Sequence, residues 1–311
     1  MKIAFESQAR KFLADGASRK RNPLRPATLR TYKSQIEANL IPIIGKMGLQ
    51  TIGNKVLSDV VTKLSGRGLS PRTITLNVTI IKKIRKSAIT ENGDQMFPYE
   101  WNTEVIDAPS VQDDKKATVS AQAVQDAISK AEPPQKALYA LLAGTGLRIA
   151  EARAIKLIPD DGVSTVWLPK ESKIIIRQQM TRTGLAATKT SAGVREVDLA
   201  PELNEFLGAP VADKLGLSKD FLLFSDCENC YRTHLEKDGI AGGFHAFRRF
   251  RVTHLKLQGV PDAIIKFWIG HAAGNITEVY TQVGGEIQSR KDWAAKAGLG
   301  FKLPDTERTQ Q

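Results

Sequence analysis

The first third of the chain repeats one kind of pattern, short segments with apolar residues three or four positions apart, broken by Pro and Gly. FESQARKFLADG is a short amphipathic segment. ATLRTYKSQIEANLIPIIG has Leu29, Tyr32, Ile36 and Leu40 at helical spacing and stops near Pro42 and Gly45. NKVLSDVVTKLSGRG places Leu57, Val60, Val61 and Leu64 on one face. SPRTITLNVTIIKKIRKSAI opens with Ser70 as N-cap and Pro71 at the first helical position, with Ile74, Val78, Ile81 and Ile84 on its apolar face. Residues 1–107 therefore read as a small helical domain. Residues 108–117, within the polar TEVIDAPSVQDDKKA, read as a linker.

The pattern changes after Thr118. TVSAQAVQDAISKA offers Ser120 as a cap before a helix, and KALYALLAGTGLRIAEARAIKL reads as helix, Gly-rich turn and helix. STVWLP, KIIIRQQM, LAATKT and VREVDLA are β-branched or alternating, which predicts a small antiparallel sheet. LAATKTSAGVREVDLA in particular reads as two strands joined by a turn at SAG, with Lys189 near its tip. From Gly242 the spacing is helical again. The fold class is mainly α with a small antiparallel sheet (α+β), and 311 residues suit about two domains.

Charge narrows the partners. Lys and Arg number 45 against 33 Asp and Glu, a formal net charge of +12. Residues 1–107 hold 18 basic and 9 acidic side chains, so most of the surplus lies there. A surplus of this size favours a polyanion. MKIAFESQARKFLADG has no apolar core of a signal peptide, no apolar run is long enough to span a membrane, and no lipidation motif is present. The expected partner is double-stranded DNA, with no membrane, in a cytoplasmic and nucleoid-associated protein. Arg72, Lys82, Lys83, Arg85 and Lys86 are the candidate DNA-binding side chains; a solvated helix face is the plainer reading of any one such cluster. Cys227 and Cys230 stand at C-x-x-C spacing with no second pair, so two reduced thiols are expected, with neither metal nor cofactor.

Three motifs in the second domain carry candidate chemistry. GTGLRIAEA puts Arg148 after two glycines at a helix start, where backbone N–H groups favour an anion and a guanidinium offers a matching fork. Glu151, one turn on, can hold that Arg. HAFRRF sets His245 and Arg248 at i,i+3 on one face. WIGHAAGNITEVY sets His271 nine positions before Tyr280. Each motif alone has an ordinary structural reading: a surface ion pair, an exposed basic helix, a packed His and Tyr.

Taken in order, Arg148, Lys189, His245, Arg248, His271 and Tyr280 resemble the catalytic set of the tyrosine site-specific recombinases, the phage integrase family. GTGLRIAEA resembles the family's first Arg motif, TKTSAGVREVDL its Lys-bearing hairpin, HAFRRF its His-x-x-Arg motif, and WIGH with Tyr280 its Gly-His motif and nucleophile. The likeness runs from about residue 4 to about residue 285. Ile269 stands where Leu is usual, and Arg249 where His is frequent. The resemblance implies a helical core-binding (SAM-like) domain over 1–107, a catalytic domain over 118–285, and a tail over 286–311 able to dock on a neighbouring subunit. It implies a site-specific recombinase or integrase of a mobile element, cutting and rejoining strands through a 3′-phosphotyrosyl link without metal or ATP. It also implies a homo-tetramer on paired recombination sites, assisted by accessory DNA-bending or directionality proteins. A type IB topoisomerase-like enzyme and a non-catalytic DNA-binding regulator are the alternatives; the core-binding region and the tail favour recombination, and the intact catalytic set disfavours a regulator.

Overall fold

Proline, glycine and serine punctuation sets the helices of the first unit. In the computed structural model, which describes residues 3–111, 118–188, 190–212, 222–224, 228–271 and 283–304, the chain divides into two units, Met1–Asp114 and Lys115–Gln311. The first holds α1 (Phe5–Ser18), α2 (Pro26–Gln35), α3 (Ile41–Ile44), α4 (Asn54–Gly66), α5 (Pro71–Lys86) and α6 (Thr103–Ile106). Pro26 and Pro71 sit at helix starts, where a missing N–H costs nothing. The Ser70 Oγ accepts the Thr73 N–H at 3.3 Å. Between α2 and α3 the helix widens into a π turn over Ile36–Leu40. Pro42 lies just beyond it and has no N–H to return to Ala38. The wider register lets the chain continue where a regular turn would clash with the proline ring.

Phe5, Ile36, Leu40, Leu49, Leu57, Leu64, Ile81 and Ile84 are buried together at the centre of this unit. Each such side chain contributes about 1.5–3 kcal/mol of transfer free energy. Of the positions anticipated from helical spacing, all but Leu29 lie in this cluster.

The second unit begins with α7 (Ala121–Lys130), capped by the Ser120 Oγ accepting the Ala123 N–H at 3.1 Å. Helix α8 (Pro133–Thr145) is central: Leu138, Tyr139, Ala140, Leu141, Leu142 and Ala143 are all fully buried. Gly146 ends it at φ +72°, and a Cβ there would lie 2.7 Å from the Ile269 Cδ1. The four-residue α9 (Ile149–Ala152) follows at once.

The strands are β1 (Ile155–Lys156), β2 (Thr165–Leu168), β3 (Lys173–Ile176), β4 (Gln178–Thr181), β5 (Gly184–Ala187) and β6 (Arg195–Asp198). They form a four-stranded sheet in the order β1-β2-β3-β6 and a separate β4-β5 pair. β1 runs parallel to β2, and the remaining pairings are antiparallel. Two expectations need correction. KIIIRQQM is two strands, because Arg177 turns the chain from one sheet into the other. LAATKTSAGVREVDLA is not a hairpin: β5 pairs with β4 while β6 pairs with β3, Ile174 opposite Val197. Alternation shows which residues can share a face but not which strand lies alongside.

Helices α10 (Pro201–Ala212), α11 (Glu228–Lys237), α12 (His245–Leu257), α13 (Asp262–Ile269) and α14 (Ile287–Ala297) complete the unit. Ala294, Ala297 and Leu299 join its core, so the tail packs on its own unit as far as these residues. The Arg251 Nη1 donates to the Gly298 carbonyl at 2.5 Å, and the His254 ring bonds the Ala297 carbonyl at 2.8 Å. Among the described residues no helix is long and apolar enough to cross a membrane.

Candidate active site

One buried carboxylate organises the centre of the second unit. Glu151, third residue of α9, is 2% exposed. Its Oε2 accepts the Arg148 backbone N–H at 2.9 Å, and its Oε1 accepts the Arg148 Nη1 at 2.7 Å. Arg148 thus stands at the N-cap, one position ahead of the expected first turn. Its N–H, anticipated as an anion donor, is occupied by Glu151, which leaves the partly exposed guanidinium to do the binding.

The other side of the carboxylate belongs to Arg195 on β6. Its Nη2 and Nη1 reach Glu151 at 3.0 and 3.3 Å. Its Nε donates to the Trp268 carbonyl at 2.7 Å and its Nη1 to that of Gly193 at 3.0 Å. Burial alone would raise the Glu151 carboxyl, but the charge and hydrogen bonds of Arg195, with those of Arg148, outweigh it and hold its pKa below the usual range. Sequence reasoning missed Arg195. The signal available was an Arg two positions before Val197, on the same face of the strand REVD.

Arg248, on the first turn of α12, joins two glycine turns. Its Nη1 donates to the Gly146 carbonyl at 2.9 Å and its Nη2 to the Ile269 carbonyl at 2.6 Å. These carbonyls hold the guanidinium without neutralising it. Burial, then the nearby Arg148, push its pKa down to about 9. Gly270 closes α13 at φ +65°, and a Cβ there would lie 2.8 Å from the Arg195 Nη1, so a side chain is barred by conformation and by space. His271 follows, exposed, its N–H on the Lys266 carbonyl at 3.2 Å. Its pKa is lowered by burial first, then by the positive field of Arg248, Arg148 and Arg195. His245 is exposed at the start of α12, three residues before Arg248. Lys189, Tyr280 and Cys227 lie outside the described residues.

Arg148, Arg195 and Arg248 carry three positive charges against the one negative charge of Glu151. This centre is therefore built to receive an anion, with planar donors that match phosphate oxygens.

In the first unit, Arg72, Lys83 and Lys86 are exposed on α5 and Lys82 is half-buried. A cleft of about 380 Å³ lies along Lys82, Lys83 and Lys86, walled by Tyr99 and Trp101. The Lys82 Nζ is 5.3 Å from the Trp101 ring centroid, and the Lys83 Nζ donates to the Tyr32 hydroxyl at 2.9 Å. Arg85 departs from expectation. It is 5% exposed, its guanidinium donates to the carbonyls of Ile52 and Phe97, and it stacks 4.5 Å over Tyr99. Its hydrogen bonds are spent inside the unit, so it is a packing residue and not a surface cation.

With this geometry established, the fold is clear: the chain has the tyrosine-recombinase fold, an N-terminal SAM-like helical unit followed by a unit of helices and a small sheet. Residues 17–65 match the family described as phage integrase, N-terminal SAM-like domain. Among solved structures the chain is similar to the Tn1549 transposon integrase in complex with transposon right-end DNA, at 17% identity and a TM-score of 0.69, over 90% of this chain and 94% of that one. It is also similar to a lambda integrase dimer bound to a COC′ core site, at 15% identity and a TM-score of 0.59, over 99% of this chain and 100% of that one. No curated protein matches it by sequence.

Proposed function

We propose that the protein is a site-specific DNA recombinase, an integrase of a mobile element, that cuts and rejoins strands through Tyr280. The observation that carries this is the surplus of two positive charges around Glu151. A phosphodiester brings one negative charge and its pentacoordinate transition state about two, so the clamp is matched to the transition state more closely than to the ground state.

In this reading Arg148 and Arg248 bind the non-bridging oxygens, and His271 hydrogen-bonds the same phosphate. The Tyr280 hydroxyl attacks phosphorus: the P–Oη bond forms and the bond to the 5′-oxygen breaks. Forming phenolate at pH 7 costs about 4 kcal/mol, which His245 offsets by accepting the proton. Lys189 protonates the leaving 5′-oxygen. The 3′-phosphotyrosyl link keeps the phosphate activated, so rejoining needs no ATP. Lys82, Lys83, Lys86 and Arg72 hold the backbone of duplex DNA from the first unit. A homo-tetramer on paired sites, with accessory DNA-bending or directionality proteins, completes the reaction in the cytoplasm at the nucleoid.

The test is a nicked suicide duplex carrying sequence from the DNA that flanks the gene. A protein–DNA adduct that resists SDS and disappears with Tyr280→Phe is the expected result. An adduct that persists in Tyr280→Phe refutes the assignment of the nucleophile.

A further inference from the structure

Among the described residues of the second unit, Arg290 is the largest fully buried side chain, at 0% exposed. It comes from α14, and every polar side of it is used. Its Nε donates to the Asp198 Oδ2 at 2.8 Å and its Nη2 to the Glu196 Oε2 at 2.6 Å. Its Nη1 donates to the carbonyls of Val283, at 3.0 Å, and Gly284. Its Cζ lies 4.9 Å from the centroid of the Phe267 ring. The same Asp198 oxygen accepts the Trp268 indole N–H at 2.8 Å.

The position of these partners gives the arrangement its meaning. Val283 and Gly284 are the third and fourth residues after Tyr280. Glu196 and Asp198 lie on β6, the strand whose Arg195 grips Glu151 and, through it, Arg148. One guanidinium thus ties the exit of the Tyr280 segment to the strand that holds the phosphate clamp. A buried ion pair is not in itself a good source of stability, since an apolar side chain of similar volume serves as well. What an apolar side chain cannot do is fix the direction of two carbonyls and two carboxylates at once.

We propose that Arg290 is a positioning residue for Tyr280, setting the reach of the nucleophile relative to Arg148 and Arg248. This rests on the reading of Tyr280 as nucleophile. The step it serves is the in-line attack in which P–Oη forms and P–O5′ breaks, and a displacement near 1 Å costs such a step about 100-fold.

The test uses the full-length chain and the suicide duplex. Arg290→Lys keeps the positive charge, but its three N–H donors on one nitrogen cannot reach both carbonyls and both carboxylates at once. Duplex affinity is expected to hold while single-turnover adduct formation falls about 100-fold. Hydrogen peroxide supplies the second arm. In the Tyr280→Phe background hydroperoxide attacks the phosphorus instead, and the 5′-oxygen leaves with a proton as before. That cleavage reads the clamp without the tyrosine, and it is expected to proceed at the same rate in Tyr280→Phe and in Tyr280→Phe combined with Arg290→Lys. An unchanged adduct rate in Arg290→Lys overturns the proposal. So does peroxide cleavage that falls in parallel, which would make Arg290 a support of the whole unit. Peroxide cleavage absent from Tyr280→Phe itself also overturns it, because clamp and nucleophile would not be separable. Failure of the wild-type chain to form any adduct is read first and removes the parent reading together with this one.

Discussion

Replacing Glu151 by Gln changes one atom and one charge at the point where three chain segments meet. The two carboxylate oxygens take four N–H donors, two from Arg148 and two from Arg195. Glutamine keeps one acceptor and turns an NH2 toward the other two donors. Arg195, its side chain 1% exposed, is left as a buried charge with carbonyl partners only. Breaking a buried pair in this way costs about 3–5 kcal/mol. For a unit of about 200 residues that lowers the melting temperature by about 6–20 °C. The assay is scanning calorimetry at pH 7, repeated down to pH 3. The Glu151 carboxyl is depressed in the fold, so its contribution is complete above the unfolded pKa of about 4.3 and is lost as the pH falls through the lower, folded value. The gap between the two proteins must therefore close in acid. A melting temperature within about a degree of the wild type at pH 7, or a gap that does not narrow, would refute the reasoning.

Two more predictions test the reassignment of Arg85 and the state of His271. Lys86→Ala should lower the salt dependence of duplex binding by about one phosphate and leave melting unchanged; Arg85→Met should destabilise the first unit through its orphaned carbonyls while leaving that salt slope alone, and the opposite pattern would return Arg85 to the DNA surface. His271 should titrate below about 6.5 and be neutral at pH 7 in the absence of DNA, so NMR of labelled imidazole giving a midpoint at or above that value would contradict the positive field assigned to the three arginines.

Where local rules decide structure, the sequence was enough. Ser70 and Pro71 begin α5, and the run from Ala27 to Gly45 forms a helical path with its apolar stripe inward. Arg148 with Glu151, and His245 with Arg248, were legible as motifs because each pair lies within one helical turn. What was missed depends on partners far apart in sequence. The strand beginning at Arg195 lies beside β3, not beside the strand just before it, since an alternating pattern suits any neighbour. Arg85, Arg195 and Arg290 are buried because carbonyls and carboxylates tens of residues away converge on them. Composition marks an arginine as a surface residue until those acceptors are known.

The unneutralised charge around Arg248 also bears on how such a gene ages. Arg248 works against its own burial, which disfavours the charged form and holds its pKa down to about 9. A copy freed from the need to cut DNA would shed that burden with the arginine, but it would also leave the Gly146 and Ile269 carbonyls without their donor. Among drifting copies Arg248 and the two glycine turns it joins should therefore change together, not one at a time.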